Sequence, residues 1–216
     1  MSKDWSWKLM DFAGEGDLDG VKEALKNGAN IHNWEDYALI AAAKNGHLPV
    51  VQYLHEQGSS IRSRESEALR ESARSGHFPV FKYLVDNNAD IRSHSDYAIK
   101  FAARLGHLDI VKYAHEKGAD IHVWGDEPMR LSATTGHLPV VQYFIEAGCD
   151  PKNLLNDKDI NKKVKEWVSD YIRARDMSNK LTNELPEKPS FKDIVKGLGQ
   201  QSAQQQGLTQ SGKRKM

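Results

Sequence analysis

One pattern recurs five times along this chain, at a fixed interval of 30 residues. Each copy begins with Gly-Asp or Gly-His, continues with a short apolar segment, and reaches a second Gly, or Asn in one copy, before a loop. The copies start at Gly16, Gly46, Gly76, Gly106 and Gly136. A repeat of this length predicts a stacked array, because one such unit buries too little apolar surface to fold alone. We therefore expect function to lie on a surface rather than in a buried pocket.

The spacing of apolar residues within each copy is helical. Residues 97–103 share one apolar face, Gly106 ends that helix, and residues 108–114 carry the apolar stripe of a second helix. Small residues recur on the first helices, where they allow neighbouring repeats to approach closely: alanine or serine at positions 42, 43, 72, 73, 102, 103, 132 and 133. The predicted unit is a helix-turn-helix, and the predicted fold class is all-α.

These residues resemble a known family. The segments AAKNGHLPVVQYLHEQG and GADIHV are similar to the ankyrin repeat, whose common form is TPLHxAAxxGHxxIVxxLLxxGADVN. The resemblance covers roughly Trp5 to Leu155 and implies an ankyrin-type solenoid of about five repeats that binds proteins. The interval is 30 residues instead of about 33, and the Thr-Pro-Leu-His segment is replaced in every copy. This shortened form is similar to arrays that are numerous in giant DNA viruses of amoebae, which implies a viral origin.

The composition of the sequence changes after the last copy. We divide the chain into three parts: an array over residues 1–155, a capping helix over 156–180 and a flexible tail over 181–216. Apolar residues at steps of three and four predict the capping helix, with Asn156 or Asp157 as its N-cap. Proline, glutamine, glycine and serine predict the tail. At the other end, Trp5, Trp7, Leu9 and Phe12 are expected to cover the first repeat.

Charge, hydropathy and cysteine content limit the class of protein. The chain has 216 residues, a formal net charge of zero and one cysteine, Cys149. It shows no secretory signal and no run of about 20 apolar residues that would span a membrane. We expect an intracellular monomer, cytoplasmic or nuclear, or in the host cell if viral, with no membrane partner. A lone cysteine excludes an internal disulfide, and from it we also expect no cysteine-based zinc site; we interpret Cys149 as a small buried hydrophobe.

We predict neither a metal site nor a catalytic site. Four histidines share one column of the repeats: His47, His77, His107 and His137. Stacked helices lie about 8–10 Å apart, whereas each ligand atom of a zinc site must lie about 2 Å from the ion. We therefore expect each histidine to satisfy local backbone groups. The chain also has no phosphate-binding glycine loop and no set of serine, histidine and acid outside the repeat columns. We expect a non-enzymatic protein with no cofactor.

The positions that differ between copies are the candidates for partner binding, because the fold does not dictate them. One loop column carries Trp34, Arg64, His94 and Trp124. Large aromatic residues and arginine at projecting loops are typical of binding hot spots. A second interpretation of Trp34 and Trp124 stays open, in which a shortened loop folds the indole inward against its neighbour.

A second candidate surface lies on the first helices. Residues four apart share a helix face, which places a basic stripe across the repeats: Lys44, Arg70, Arg74, Lys100, Arg104 and Arg130. The ankyrin resemblance implies that Lys44, Arg74 and Arg104 face the concave side. Like charge on one face attracts an acidic peptide or an acidic protein surface. The alternative is a solvated face that glutamates such as Glu67 and Glu71 neutralise.

One apolar patch interrupts the predicted tail. Phe191, Ile194, Val195 and Leu198 are spaced as one face of a short helix, which suits a ligand for a groove on a second protein. The alternative is a docked extension of the C-terminal cap. A tail that recruits a second factor would make the protein an adaptor that links its target to a ubiquitin ligase or other host machinery. Nucleic acid is the least favoured partner, since the net charge is zero and the basic stripe lacks interleaved aromatics.

Overall fold

The computed structural model describes residues 5–181 and 190–197, and these ranges contain helices and no strand. The predicted all-α fold class is confirmed. Five helix pairs follow one another along the chain. The first helices of the pairs are α1 (Ser6–Glu15), α3 (Tyr37–Lys44), α5 (Ser63–Ser75), α7 (Ser93–Leu105) and α9 (Val123–Thr135). The second helices are α2 (Leu18–Lys26), α4 (Leu48–Glu56), α6 (Phe78–Asp86), α8 (Leu108–Glu116) and α10 (Leu138–Glu146).

The helix pairs stack into two layers. Each first helix contacts the first helix of the next pair, and each second helix contacts the next second helix. The first helices approach closely because their contacts are made by small residues, such as Ala42, Ala73 and Ser132, which have no exposed surface. The second helices fill the other layer with larger side chains, including the fully buried Phe81 and Phe144. The core therefore runs the length of the array between the two layers.

Each helix pair turns at a left-handed glycine, and the following repeat covers that glycine. Gly106 has a φ of 84°. The Nδ1 atom of His137 lies 2.5 Å from the point that a Cβ atom on Gly106 would occupy. The same contact recurs along the array, joining Gly16 to His47, Gly46 to His77 and Gly76 to His107. Glycine is thus required both by the backbone angle and by the ring packed above it.

Two histidines of these contacts donate hydrogen bonds across the repeat boundary. His47 Nε2 lies 3.0 Å from the carbonyl oxygen of Gly14, and His107 Nε2 lies 3.2 Å from that of Arg74. The sequence analysis placed their partners at the local turn, which is wrong for these two side chains. The histidine column joins consecutive repeats.

A turn of three left-handed residues precedes the regular part of each first helix from the second repeat onward, at 34–36, 64–66, 94–96 and 124–126. Residues with side chains rarely adopt this conformation, which costs about 1–2 kcal/mol each. The third residue of the turn forms hydrogen bonds with the next repeat, and these bonds offset that cost. Asp36, Ser66 and Asp96 are buried and accept hydrogen bonds from backbone N–H groups 24 residues later, at 3.2, 2.9 and 2.9 Å.

A 3₁₀ helix (Pro151–Leu154) and helix α11 (Lys162–Leu181) complete the main body, and residues 191–197 form a further helical segment. Val164 and Val168 of α11 are buried, and Trp167 stacks on Tyr171 at 5.3 Å between ring centroids. Helix α11 therefore buries an apolar face at the C-terminal end of the stack. At the N-terminal end, Leu9 is buried and Trp5 and Phe12 pack against the core, as expected. Trp7 is 54% exposed, so the expectation is wrong for this residue.

The residue that leads into α11 is Asn161, rather than Asn156 or Asp157. Its Oδ1 atom accepts a hydrogen bond from the backbone N–H of Lys163 at 3.0 Å. Its amide also lies over Gly136, 2.9 Å from the point that a Cβ atom would occupy. Asn161 therefore takes the place of the histidine that a further repeat would have supplied.

Candidate functional site

The loop column that sequence analysis singled out projects from the array. Trp34, Arg64, His94 and Trp124 are each the first residue of a left-handed turn. The side chains of Trp34 and Trp124 remain 64% and 71% exposed, so the interpretation that the shortened loops fold them inward is wrong.

The two middle loops are tied to their neighbours by ion pairs. Arg64 Nε lies 3.4 Å from a carboxylate oxygen of Glu35, and His94 Nδ1 lies 3.0 Å from one of Glu65. The two tryptophans contact their neighbours through their rings: Trp34 makes an edge contact with Tyr37 at 6.3 Å between ring centroids, and Lys100 lies against the ring of Trp124. The exposed apolar surface of the column is therefore concentrated at its two ends.

Half of the predicted basic stripe is engaged within the fold. The Nζ atom of Lys100, a residue only 8% exposed, lies 4.1 Å from the centre of the Trp124 ring and 3.7 Å from a carboxylate oxygen of Glu127. Arg70 donates to the carbonyl oxygen of Arg64 at 3.0 Å, and its guanidinium lies over a tyrosine ring of the next repeat. Arg130 lies 3.7 Å from two different carboxylates. These three cations are paired with groups of their own chain.

The other half of the stripe is open to a partner. Lys44, Arg74 and Arg104 are exposed and occupy the same place in three consecutive repeats, near the end of a first helix. Within the described residues, the ion pair found for this set is one long contact of 3.9 Å between Arg74 and Glu71. We call these three residues the exposed cation column.

The contrast between paired and exposed cations predicts different costs of mutation. Lys100→Ala should lower the free energy of unfolding by about 1–2 kcal/mol, because one buried oxygen of Glu127 loses its cation. Arg104→Ala should change it by no more than about 0.5 kcal/mol. Chemical denaturation followed by circular dichroism measures both values. Equal costs for the two variants would show that Lys100 is not a structural residue.

Sequence analysis missed a stacked aromatic pair beside the exposed cation column. Tyr97 and Phe101, one turn apart on α7, stack with 4.0 Å between ring centroids. The neighbouring Leu105 is 43% exposed. The signal was present at position 101, where phenylalanine stands in place of the alanine, glutamate and leucine found at 41, 71 and 131. The middle of the array thus offers apolar surface next to its cations.

The apolar patch of the predicted tail contacts the C-terminal cap. Residues 191–197 are helical, and the rings of Phe191 and Tyr171 lie 5.5 Å apart. Phe191 and Ile194 pack against the core, and Val195 is half-buried. Leu198, like most of the predicted tail, lies outside the described residues. This contact favours the docked extension over a free ligand for a second protein.

Two family models match the chain. The model described as ankyrin repeats (3 copies) matches residues 9–95, and the model described as ankyrin repeats (many copies) matches residues 95–145. The chain belongs to the ankyrin-repeat family. Ankyrin repeats are generally protein–protein interaction modules and typically lack enzymatic activity. A search of curated proteins found no match to this ankyrin chain.

In the part of the chain that the structure describes, no helix of the ankyrin array or its cap is both long enough and apolar enough to cross a bilayer.

Proposed function

We propose that this ankyrin array, acting as a monomer, binds an acidic segment of a partner protein along the face of its first helices. The observation that carries the proposal is the exposed cation column. Lys44, Arg74 and Arg104 present one positive charge per repeat, and the fold uses none of them in a buried contact. Like charges held in a row repel each other and attract a ligand of opposite charge.

The spacing of the column suits an extended ligand. Neighbouring helices in a stack lie about 8–10 Å apart, so successive cations are separated by about that distance. A polyproline II segment rises about 3.1 Å per residue with three residues per turn. Acidic side chains at every third position of such a segment would therefore lie on one side, about 9 Å apart. We propose that the partner carries acidic residues at this interval.

Apolar groups on the first helices and on the loops before them supply contacts that charge alone does not. Leu105 extends from the end of α7, beside Arg104, and Trp34 and Trp124 stand exposed at the first and last loops of the loop column. Surface ion pairs contribute about 0–1 kcal/mol each, whereas buried tryptophan contacts are enriched among binding hot spots. We propose that the cations orient the partner and that the aromatic loops provide most of the affinity.

Charge reversal tests the proposal. A variant with Lys44→Glu, Arg74→Glu and Arg104→Glu should bind the partner about 10- to 100-fold more weakly, because three attractions become repulsions. The difference should shrink as salt is raised. The matched control reverses three exposed lysines on other surfaces: Lys26→Glu, Lys112→Glu and Lys152→Glu. The control has the same net charge and should keep wild-type affinity.

The ligand for this comparison comes from selection of peptides on the intact protein. The expected peptides carry Asp or Glu at every third position, and fluorescence anisotropy then measures their affinity for both variants. Circular dichroism establishes that each variant is folded. Equal losses in the column variant and the control would overturn the proposal, as would selected peptides that lack acidic residues.

A further inference from the structure

Three side chains with metal-ligating atoms converge where the fourth left-handed turn meets the end of α10. These are His122, Asp126 and Cys149, and one donor atom from each lies within 4.8 Å of the other two. His122 Nδ1 lies 2.6 Å from Asp126 Oδ1 and 3.8 Å from Cys149 Sγ. Asp126 and Cys149 are buried, whereas the side chain of His122 is 55% exposed. The cluster therefore has buried anionic ligands and one side open to solvent.

Comparison with the other repeats shows which part of this cluster the fold itself requires. The equivalent junction of the first loop contains His32, Asp36 and Ser59, with His32 Nδ1 2.9 Å from Asp36 Oδ1 and Ser59 Oγ also 2.9 Å from that oxygen. The two middle junctions have arginine at the histidine position and alanine at the cysteine position. A histidine–carboxylate pair thus serves the fold without any thiol. Cys149 adds a third ligand to this structural pair, so the set combines a hard carboxylate, a borderline imidazole and a soft thiolate.

We propose that His122 Nδ1, the Asp126 carboxylate and Cys149 Sγ bind a zinc ion, with water as the fourth ligand. Zinc prefers tetrahedral sites with nitrogen, oxygen and sulfur donors at about 2.0–2.3 Å, which places ligand atoms about 3.4–3.6 Å apart. The separation of Cys149 Sγ from His122 Nδ1 is already close to that value. The hydrogen bond between His122 and Asp126 must open by less than 1 Å, roughly, as the Nδ1 proton moves through solvent to Nε2 and Nδ1 binds the metal.

The charges of the cluster also suit a divalent cation. Zinc would be bound by the thiolate, so binding releases the thiol proton to solvent. The thiolate and the carboxylate together then neutralise the two positive charges of the ion, while His122 binds as a neutral imidazole.

Neighbouring groups already orient one of the ligands. The side-chain amide of Asn153 donates to Asp126 Oδ2 at 3.0 Å, which leaves Oδ1 directed toward His122. Groups that hold ligands in this way commonly raise metal affinity by about 10- to 100-fold. The exposed imidazole of His122 gives the ion a route into the site, since its side chain can swing outward without disturbing the core.

Titration of the full chain with Co²⁺ tests the site directly. A thiolate bound to cobalt absorbs in the near ultraviolet, and Cys149 is the only cysteine in the sequence, so this band reports on one residue. We expect one equivalent of Co²⁺ to produce the band and one equivalent of Zn²⁺ to remove it. A full chain that shows no thiolate band overturns the proposal without recourse to any variant.

Two substitutions test the site by comparison with the equivalent junction of His32, Asp36 and Ser59. Cys149→Ser recreates the ligand set of the first junction and should abolish the band and weaken Zn²⁺ binding at least about tenfold, measured by calorimetry. Ser59→Cys creates the second set of histidine, aspartate and cysteine, and should raise the stoichiometry of the cobalt–thiolate band from one to two. Undiminished Zn²⁺ affinity in Cys149→Ser would place the metal elsewhere and contradict the proposal.

Discussion

Gly106→Ala is expected to lower the free energy of unfolding by about 3–4 kcal/mol. About 1–2 kcal/mol arises because alanine is strained at a φ of 84°. The remainder arises because the new methyl group would lie 2.5 Å from Nδ1 of His137 and only slightly farther from two other ring atoms. The ring cannot move aside without losing its packing on the preceding repeat. Urea denaturation followed by circular dichroism measures the loss.

Gly118 provides a matched control for the strain alone. Its φ is 96°, and a Cβ atom there would meet nothing within 4 Å. Gly118→Ala should therefore cost only about 1–2 kcal/mol. In a His137→Ala background, the cost of Gly106→Ala should fall to the same value, because the overlapping ring is gone. If Gly106→Ala costs no more than Gly118→Ala in the wild-type background, the histidine does not pack tightly on the glycine.

Asp36→Ala is expected to lower the free energy of unfolding by about 2–4 kcal/mol. The Asp36 carboxylate is 4% exposed and accepts hydrogen bonds from His32, Ser59, Ser63 and the backbone of Ser60. Truncation leaves several of these donors without an acceptor, at about 1–3 kcal/mol for a buried group. Alanine also tolerates the left-handed φ of 61° less well than aspartate. The same denaturation experiment tests this value, and a loss below 1 kcal/mol, roughly, would contradict it.

The same carboxylate is expected to make the array sensitive to acid. Burial opposes ionisation of Asp36, but hydrogen bonds from Ser63, His32, Ser60 and Ser59 outweigh it and hold the pKa of Asp36 below its ordinary value. A pKa that is lower in the folded state stabilises the protein at neutral pH, and that stabilisation is lost as the pH falls below about 4.

The isosteric variant Asp36→Asn isolates this contribution. Asparagine cannot ionise, so the unfolding free energy of this variant should depend less steeply on pH below about 4. The control is Asp19→Asn, whose parent side chain is 97% exposed. Denaturation curves collected between about pH 2 and 7 compare both variants with the parent. A wild-type slope in Asp36→Asn would show that another carboxylate governs acid unfolding.

The sequence predicts the layers of this fold better than it predicts the junctions between repeats. Helix periodicity and small residues act within one repeat, so the first helices and their buried alanines can be assigned from local pattern. The partners of Lys100 cannot, because Trp124 and Glu127 belong to the next repeat and reach it only after stacking. For the same reason, the histidine column was assigned local partners although His47 and His107 bond to the preceding repeat.

The candidate binding surface shows the same limit. A spacing of four residues on one helix predicted a single basic stripe, yet the structure divides it into paired cations and the exposed cation column. That division depends on which acids and aromatic rings the adjacent repeat supplies, such as Tyr97 beneath Arg70. The exposure of Trp34 and Trp124 was undecidable from the sequence, because it follows from the left-handed turns. Those turns depend on buried groups two helices away.

The contact between a glycine and the histidine of the following repeat has the same form at every internal boundary, and only Asn161 departs from it. Loss of one whole internal unit would bring a glycine from one copy and a histidine from another into the same contact. Unequal recombination between the coding segments of two units can thus shorten or lengthen the array without creating a mismatched boundary. Because the glycine–histidine contact is the same at each internal boundary, the number of repeats can change during evolution. The two ends of the protein stay as they are.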